Sequence, residues 1–184
     1  MQRNRHINIK VYAFLGIIFT IALGSLLHFV FEWSDGNRII ALFSPINEST
    51  WEHIKMLAYP MLIFSILEYI KLGQTYDNYI IAKALGILFG MLSIIMLYYS
   101  YTGVIGGHYT LVDIIVYILS VIIGYTFTCY LLSHRSLRSR IFQPIGVLIL
   151  IVIIIAFMWF TFFPPKIALF VDPATQTYGY DQVK

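Results

Sequence analysis

The chain has 184 residues, 59% hydrophobic and 11% charged, with a net charge of +3 and one cysteine. Its mean hydropathy of +0.80 excludes an ordinary soluble domain and marks an all-α integral membrane protein, in which each span satisfies its own backbone hydrogen bonds. The lone Cys129 excludes an intramolecular disulfide, and so small and uneven a charge speaks to membrane topology rather than to nucleic-acid binding.

A crossing of the hydrocarbon layer needs roughly 20 apolar residues, and the sequence predicts a bundle of about five transmembrane helices. The first runs from Val11 to Trp33. It is too long for a signal-peptide core and lacks a small-residue cleavage site. His28 lies five residues before Trp33, about 7.5 Å along the helix. Ionisable groups at that depth are costly and face the bundle interior or a wet cavity. Glu32, four residues on, shares its helix face. The spacing therefore predicts a His28–Glu32 pair, either a simple intrahelical hydrogen bond or a functional one in which the carboxylate fixes the imidazole tautomer.

The stretch "SPINESTWEHIKM", residues 44–56, gathers polar groups between two apolar runs. Ser49 and Glu52 have the spacing of a capping box, and His53 points about 100° away from Glu52. The second span follows from Lys55 to Ile70, with Pro60 as a candidate kink. Glu68 and Lys71 near its end are spaced as an i, i+3 pair.

The third span, Tyr79 to Tyr101, holds Lys83, which can snorkel, and a G-x-x-x-G at Gly86 and Gly90, a candidate close-packing face. His108 follows Gly106 and Gly107 in the next turn. Thr110 and Asp113 repeat the capping spacing at the start of the fourth span, Leu111 to Leu132, where the helix dipole also favours a carboxylate. The fifth span covers Gln143 to Phe163 and leads into a tail, residues 164–184, that offers Asp172, Tyr178 and Tyr180 to the outer surface. "IALF" occurs at Ile40–Phe43 and Ile167–Phe170, read as two segments lying on that surface. Trp33, Trp51 and Trp159 suit interfacial aromatic belts.

Arg3, Arg5, Lys10, Lys71, Lys83, Arg135, Arg138 and Arg140 fall on one side of this layout and Arg38, Lys55, Lys166 and Lys184 on the other. The excess places the amino terminus inside and the carboxyl terminus outside, in a multi-pass cell-membrane protein forming a single domain over 1–184. Most acidic residues and three histidines, His28, His53 and His108, then gather at the outer boundary. Candidate acid/base residues there are His28, Glu32, Glu48, Glu52 and His53. His28, His53, His108 and Asp113 are candidate ligands for a divalent metal such as zinc, since His and carboxylate groups from different helices can build an open site. No H-E-x-x-H or Cys/His cluster supports a metal by spacing alone.

"LGSLLHFVFEWS", "LFSPINESTWEHIKM" and "ALFVDPATQTYGY" together resemble a small multi-spanning membrane family of Gram-positive bacteria, a domain of unknown function. The resemblance covers nearly the whole chain. It marks Asn47, Glu48, Trp51, Glu52 and His53, with His28 and Glu32, and implies no reaction. Three classes follow from the residues: a membrane-embedded partner or assembly protein, a metal-dependent hydrolase or transferase acting on a lipid, lipoprotein or peptide, and a small-molecule binding or transport protein. The last is disfavoured by the scarcity of mid-membrane ionisable residues and the lack of an inverted repeat. The bilayer is the expected surrounding, with a lipid or membrane-protein partner at the outer face; the oligomeric state stays open.

Overall fold

The computed structural model of the protein describes residues 8–134, 137 and 139–180. Arg3, Arg5, Arg135, Arg138 and Lys184, which enter the orientation argument, lie outside the described residues. Among the described residues five α-helices form: α1 (Ile9–Trp33), α2 (Thr50–Leu72), α3 (Tyr79–Ile105), α4 (Thr110–Ser133) and α5 (Gln143–Phe162). Each is long and apolar enough to cross a membrane. No strand is present among the described residues, only a single Val171–Tyr178 bridge in the tail.

The predicted spans match these helices to within two residues except at the start of α2, which begins at Thr50 rather than Lys55, and at the end of α3, which runs to Ile105 rather than Tyr101. Ser49 is the N-cap, its hydroxyl accepting from the Glu52 amide at 3.3 Å. The other half of the capping box does not form. Asn47 Oδ1 takes the Ser49 amide at 3.0 Å, and Glu52 turns inward, where Oε2 accepts from the Ile46 amide at 3.1 Å and from Lys55 Nζ at 2.6 Å. At α4 the cap is Tyr109, not Thr110. That shift of one residue frees Asp113 from capping.

The core joins Ile54, Leu57 and Met61 of α2 to Ile87 of α3, Tyr125 of α4 and Phe157 of α5. α3 is the central element, in contact with α2, α4 and α5. Its G-x-x-x-G face packs within the chain: a Cβ on Gly86 would overlap the Thr128 hydroxyl and lie 3.0 Å from the Gly124 carbonyl of α4, so only glycine permits this backbone approach. Gly24 plays the same part on α1, where a Cβ would collide with the Tyr117 hydroxyl and the Met56 carbonyl.

Charge is neutralised where it is buried. Glu68 pairs with Lys83 and Tyr79 rather than Lys71. Lys83 does not snorkel; it is buried against the Tyr125 ring at 5.1 Å, because a partner inside the bundle offsets the cost of keeping the ammonium out of water. At the opposite end Lys55, fully buried, directs Nζ to Glu52, to the Ala41 carbonyl at 3.0 Å and to the Thr161 hydroxyl at 2.6 Å. One ammonium so ties α2 to the α1–α2 loop and to α5.

The two "IALF" segments form 3-10 turns at Ile40–Leu42 and Ala168–Phe170. They are packed rather than spread on a surface: Ala41 and Phe170 are buried, and Phe170 sits 4.8 Å from the Trp51 ring. Trp51 therefore fills the bundle against Phe157, Phe160 and Phe170 instead of joining an aromatic belt. The tail folds back likewise. Asp172 is buried and caps its own turn through the Ala174 amide at 2.8 Å, and buried Tyr180 donates to the Gly36 carbonyl at 2.7 Å.

Candidate functional site

The carboxyl ends of α1 and α3 and the amino ends of α2 and α4 meet at the end of the bundle that carries the α1–α2 loop. Between them lies a cavity of about 440 Å³, within the range of roughly 300–1,000 Å³ usual for ligand pockets. Its polar wall is His28 from α1, Glu48 from the loop and His53 from α2; facing it are His108 and Asp113.

His28 Nε2 lies 3.6 Å from Glu48 Oε1, and His53 Nε2 lies 3.4 Å from Glu48 Oε2. One ligand atom from each of the three residues falls within 4.8 Å of the others. The two imidazoles stack with centroids 5.6 Å apart and 29° between their planes. Local backbone explains the aim of His53: its Nδ1 is 3.0 Å from the Ser49 carbonyl, one turn back on α2. A carbonyl only accepts, so Nδ1 carries a proton, and Nε2 donates to the carboxylate when the ring is protonated or turns a lone pair toward it when the ring is neutral.

Two acceptors facing each other repel unless a proton or a metal ion lies between them. Charge-assisted hydrogen bonds close to about 2.7–2.9 Å, whereas two ligands bound about 2.0–2.2 Å from one tetrahedral zinc sit roughly 3.3–3.6 Å apart. The 3.4 and 3.6 Å contacts, each to a different oxygen of Glu48, leave room for an ion between the three residues. Ser49 supplies the outer hydrogen bond that commonly fixes the tautomer of a metal-ligating histidine. A metal held by three protein ligands beside a cavity would keep a fourth position open, as catalytic sites do. The hydrogen bond from His53 and the charges of His53, His28 and His108 hold the Glu48 carboxyl below the usual carboxylate range, against the opposing effect of partial burial.

On the facing wall, His108 Nδ1 is 3.4 Å from Asp113 Oδ2, and the Tyr101 hydroxyl donates to Asp113 Oδ1. Of the predicted metal set, His28 and His53 thus converge with Glu48, while His108 and Asp113 form a separate pair across the same cavity. Glu32 does not join: it is exposed on α1, and His28 turns to Glu48 instead. Glu52 is committed to Lys55 and Ile46, away from the cavity. Sequence reasoning missed Tyr101 and Tyr117. Tyr117 was within reach, since it stands four residues after Asp113, on the same helix face.

Tyr117 closes the floor of the cavity. Its hydroxyl points between the Thr20 and Met56 carbonyls, at 2.8 and 3.3 Å. Pro60 has no N–H to offer the carbonyl four residues earlier, which is that of Met56, and Tyr117 takes it up.

A family model described as a family of unknown function, DUF6512, matches residues 1–180, and the chain belongs to that family. No curated protein and no solved structure matches it.

Proposed function

We propose that the protein is a metal-dependent membrane hydrolase or transferase whose metal, zinc or a similar divalent ion, is held by His28, Glu48 and His53. The observation that carries this is the convergence of three acceptor groups at metal-ligand spacing, with the His53 tautomer fixed by the Ser49 carbonyl. A zinc ion there would polarise a carbonyl and lower the pKa of a bound water. Asp113, held by Tyr101, and His108 stand across the cavity to position a substrate and exchange its protons. A purely structural partner protein has no need to aim two imidazoles and a carboxylate at one point in a cavity.

The reading includes a cell-membrane location with the amino terminus inside, so that the cavity opens outward. Lys83 and Lys55 are neutralised by buried carboxylates. Setting both aside removes one residue from each side of the basic count and leaves the excess near the amino terminus.

Elemental analysis of purified protein tests the site: about one equivalent of zinc is expected, lost in His53→Ala with helicity retained. Metal-free protein that also fails to take up zinc after dialysis against the ion would refute it.

A further inference from the structure

The cavity has a side entrance. Below the His/Glu cluster, α1 and α4 are in contact through Gly24 and Tyr117. Beyond that point Ser25 and Phe29 of α1 and Ile114 of α4 line the cavity and are exposed at the same time. Ser25 precedes the end of α1 by eight residues, about 12 Å along the axis, so in a spanning helix the entrance reaches the level of the acyl chains rather than bulk water. Behind it the buried Met56, Ile94 and Val116 form an apolar wall. The polar groups stand at the loop end, which gives the cavity the polarity of one leaflet.

Its charge is one-sided as well. The lining holds two carboxylates and three histidines but no lysine or arginine. A phosphate held there would meet no guanidinium or ammonium, and a divalent ion at His28, Glu48 and His53 would already have its charge balanced by Glu48 and Asp113, so the added negative charge would be buried uncompensated. A hydroxyl, amide or amine would instead find acceptors in Asp113 and the tyrosines.

We infer that the substrate is a long-chain lipid whose polar end lacks a phosphate and bears hydroxyl, amide or amine groups, and that it enters sideways from the bilayer between α1 and α4. The chemistry at its polar end rests on the metal reading; its binding does not.

The experiment uses full-length protein in phosphatidylcholine nanodiscs containing a trace of diacylglycerol with a photoactivatable diazirine on its acyl chain, compared with phosphatidic acid bearing the same chain. Cross-linked peptides are mapped by mass spectrometry, and zinc content is measured on the same samples. Diacylglycerol is expected to label peptides containing Met56, Ile94 or Val116 several-fold more than phosphatidic acid does. Ser25→Trp or Ile114→Trp, each checked for monodispersity and helicity, should block the entrance and remove that labelling. Equal or stronger labelling by phosphatidic acid would overturn the polar-end assignment. Labelling confined to outer helix faces, or unchanged in both tryptophan variants, would overturn sideways entry. Zinc without cavity labelling would leave the metal reading standing alone, and labelling without zinc would leave the lipid site alone.

Discussion

His28 and His53, from two different helices, stack 5.6 Å apart and turn their Nε2 atoms to the two oxygens of a single carboxylate, Glu48. Neither histidine has that environment by itself. α1 provides one ring, α2 the other, and the loop between them bends back to deliver the acid.

Energetic coupling should follow these contacts rather than helix spacing. His28→Ala and Glu48→Ala are expected to be non-additive, with an interaction of about 0.5–3 kcal/mol. Glu32→Ala should change stability by no more than about 0.5 kcal/mol, as surface substitutions do, and should add independently to either. Thermal melts of the singles and doubles in one detergent measure this. Strong coupling between His28 and Glu32 would show that the helix-face pair forms after all.

Acidification should uncouple Glu48. Its carboxyl is held below the usual range in the folded protein, so its stabilising contribution is fully present above the unfolded value, roughly pH 4, and is lost as pH falls through the lower folded value. In metal-free protein the difference in melting temperature between wild type and Glu48→Gln should therefore shrink as pH falls below that value. A difference that grows below roughly pH 4 would contradict the assigned direction.

The Lys55 clamp should be costly to break from one side. Lys55→Met leaves Glu52 buried with its charge unmatched, and removing one partner of a buried pair typically costs about 3–5 kcal/mol. Lys55→Met with Glu52→Gln should recover part of that loss, since the buried charge is gone and the Ile46 amide keeps an acceptor. Denaturant titration followed by helicity compares the two. A double variant no more stable than the single would mean that the Ala41 and Thr161 contacts, not the ion pair, hold the loop.

Orientation is accessible to labelling. In a Cys129→Ser background, cysteine at exposed Lys166 should react with an impermeant maleimide in intact cells, and cysteine at exposed Gln74 only after lysis. The reverse pattern would turn the cavity to the cytoplasm.

The five spans were legible because a run of apolar residues needs no partner to be recognised. The start of α2 was legible only through its cap: Ser49 begins the helix as its spacing from Glu52 suggested, while the apolar run starts at Lys55 because hydropathy does not show that Lys55 is neutralised inside the bundle. The same limit hid the cluster. Spacing along one helix nominates Glu32 for His28 and Lys71 for Glu68, yet each found its partner elsewhere, in Glu48 and Lys83, because pairs made across elements are set by packing that no single-helix period encodes. What could be read was the gathering of His28, Glu48, His53, His108 and Asp113 at one end of the bundle. Which of them meet depended on glycine contacts such as Gly24 on Tyr117.

Tyr117 also determines where this bundle can yield. The carbonyl that Pro60 leaves without its helical donor is satisfied by a residue on another helix, and in hydrocarbon an unsatisfied carbonyl costs several kcal/mol. α4 therefore cannot withdraw from α1 and α2 at this level without stranding it. Above the tyrosine no comparable bond joins α1 to α4 among the described residues. The tie at Tyr117 thus fixes the depth at which α1 and α4 are held together, and it leaves the rim of the cavity to be closed by side chains alone.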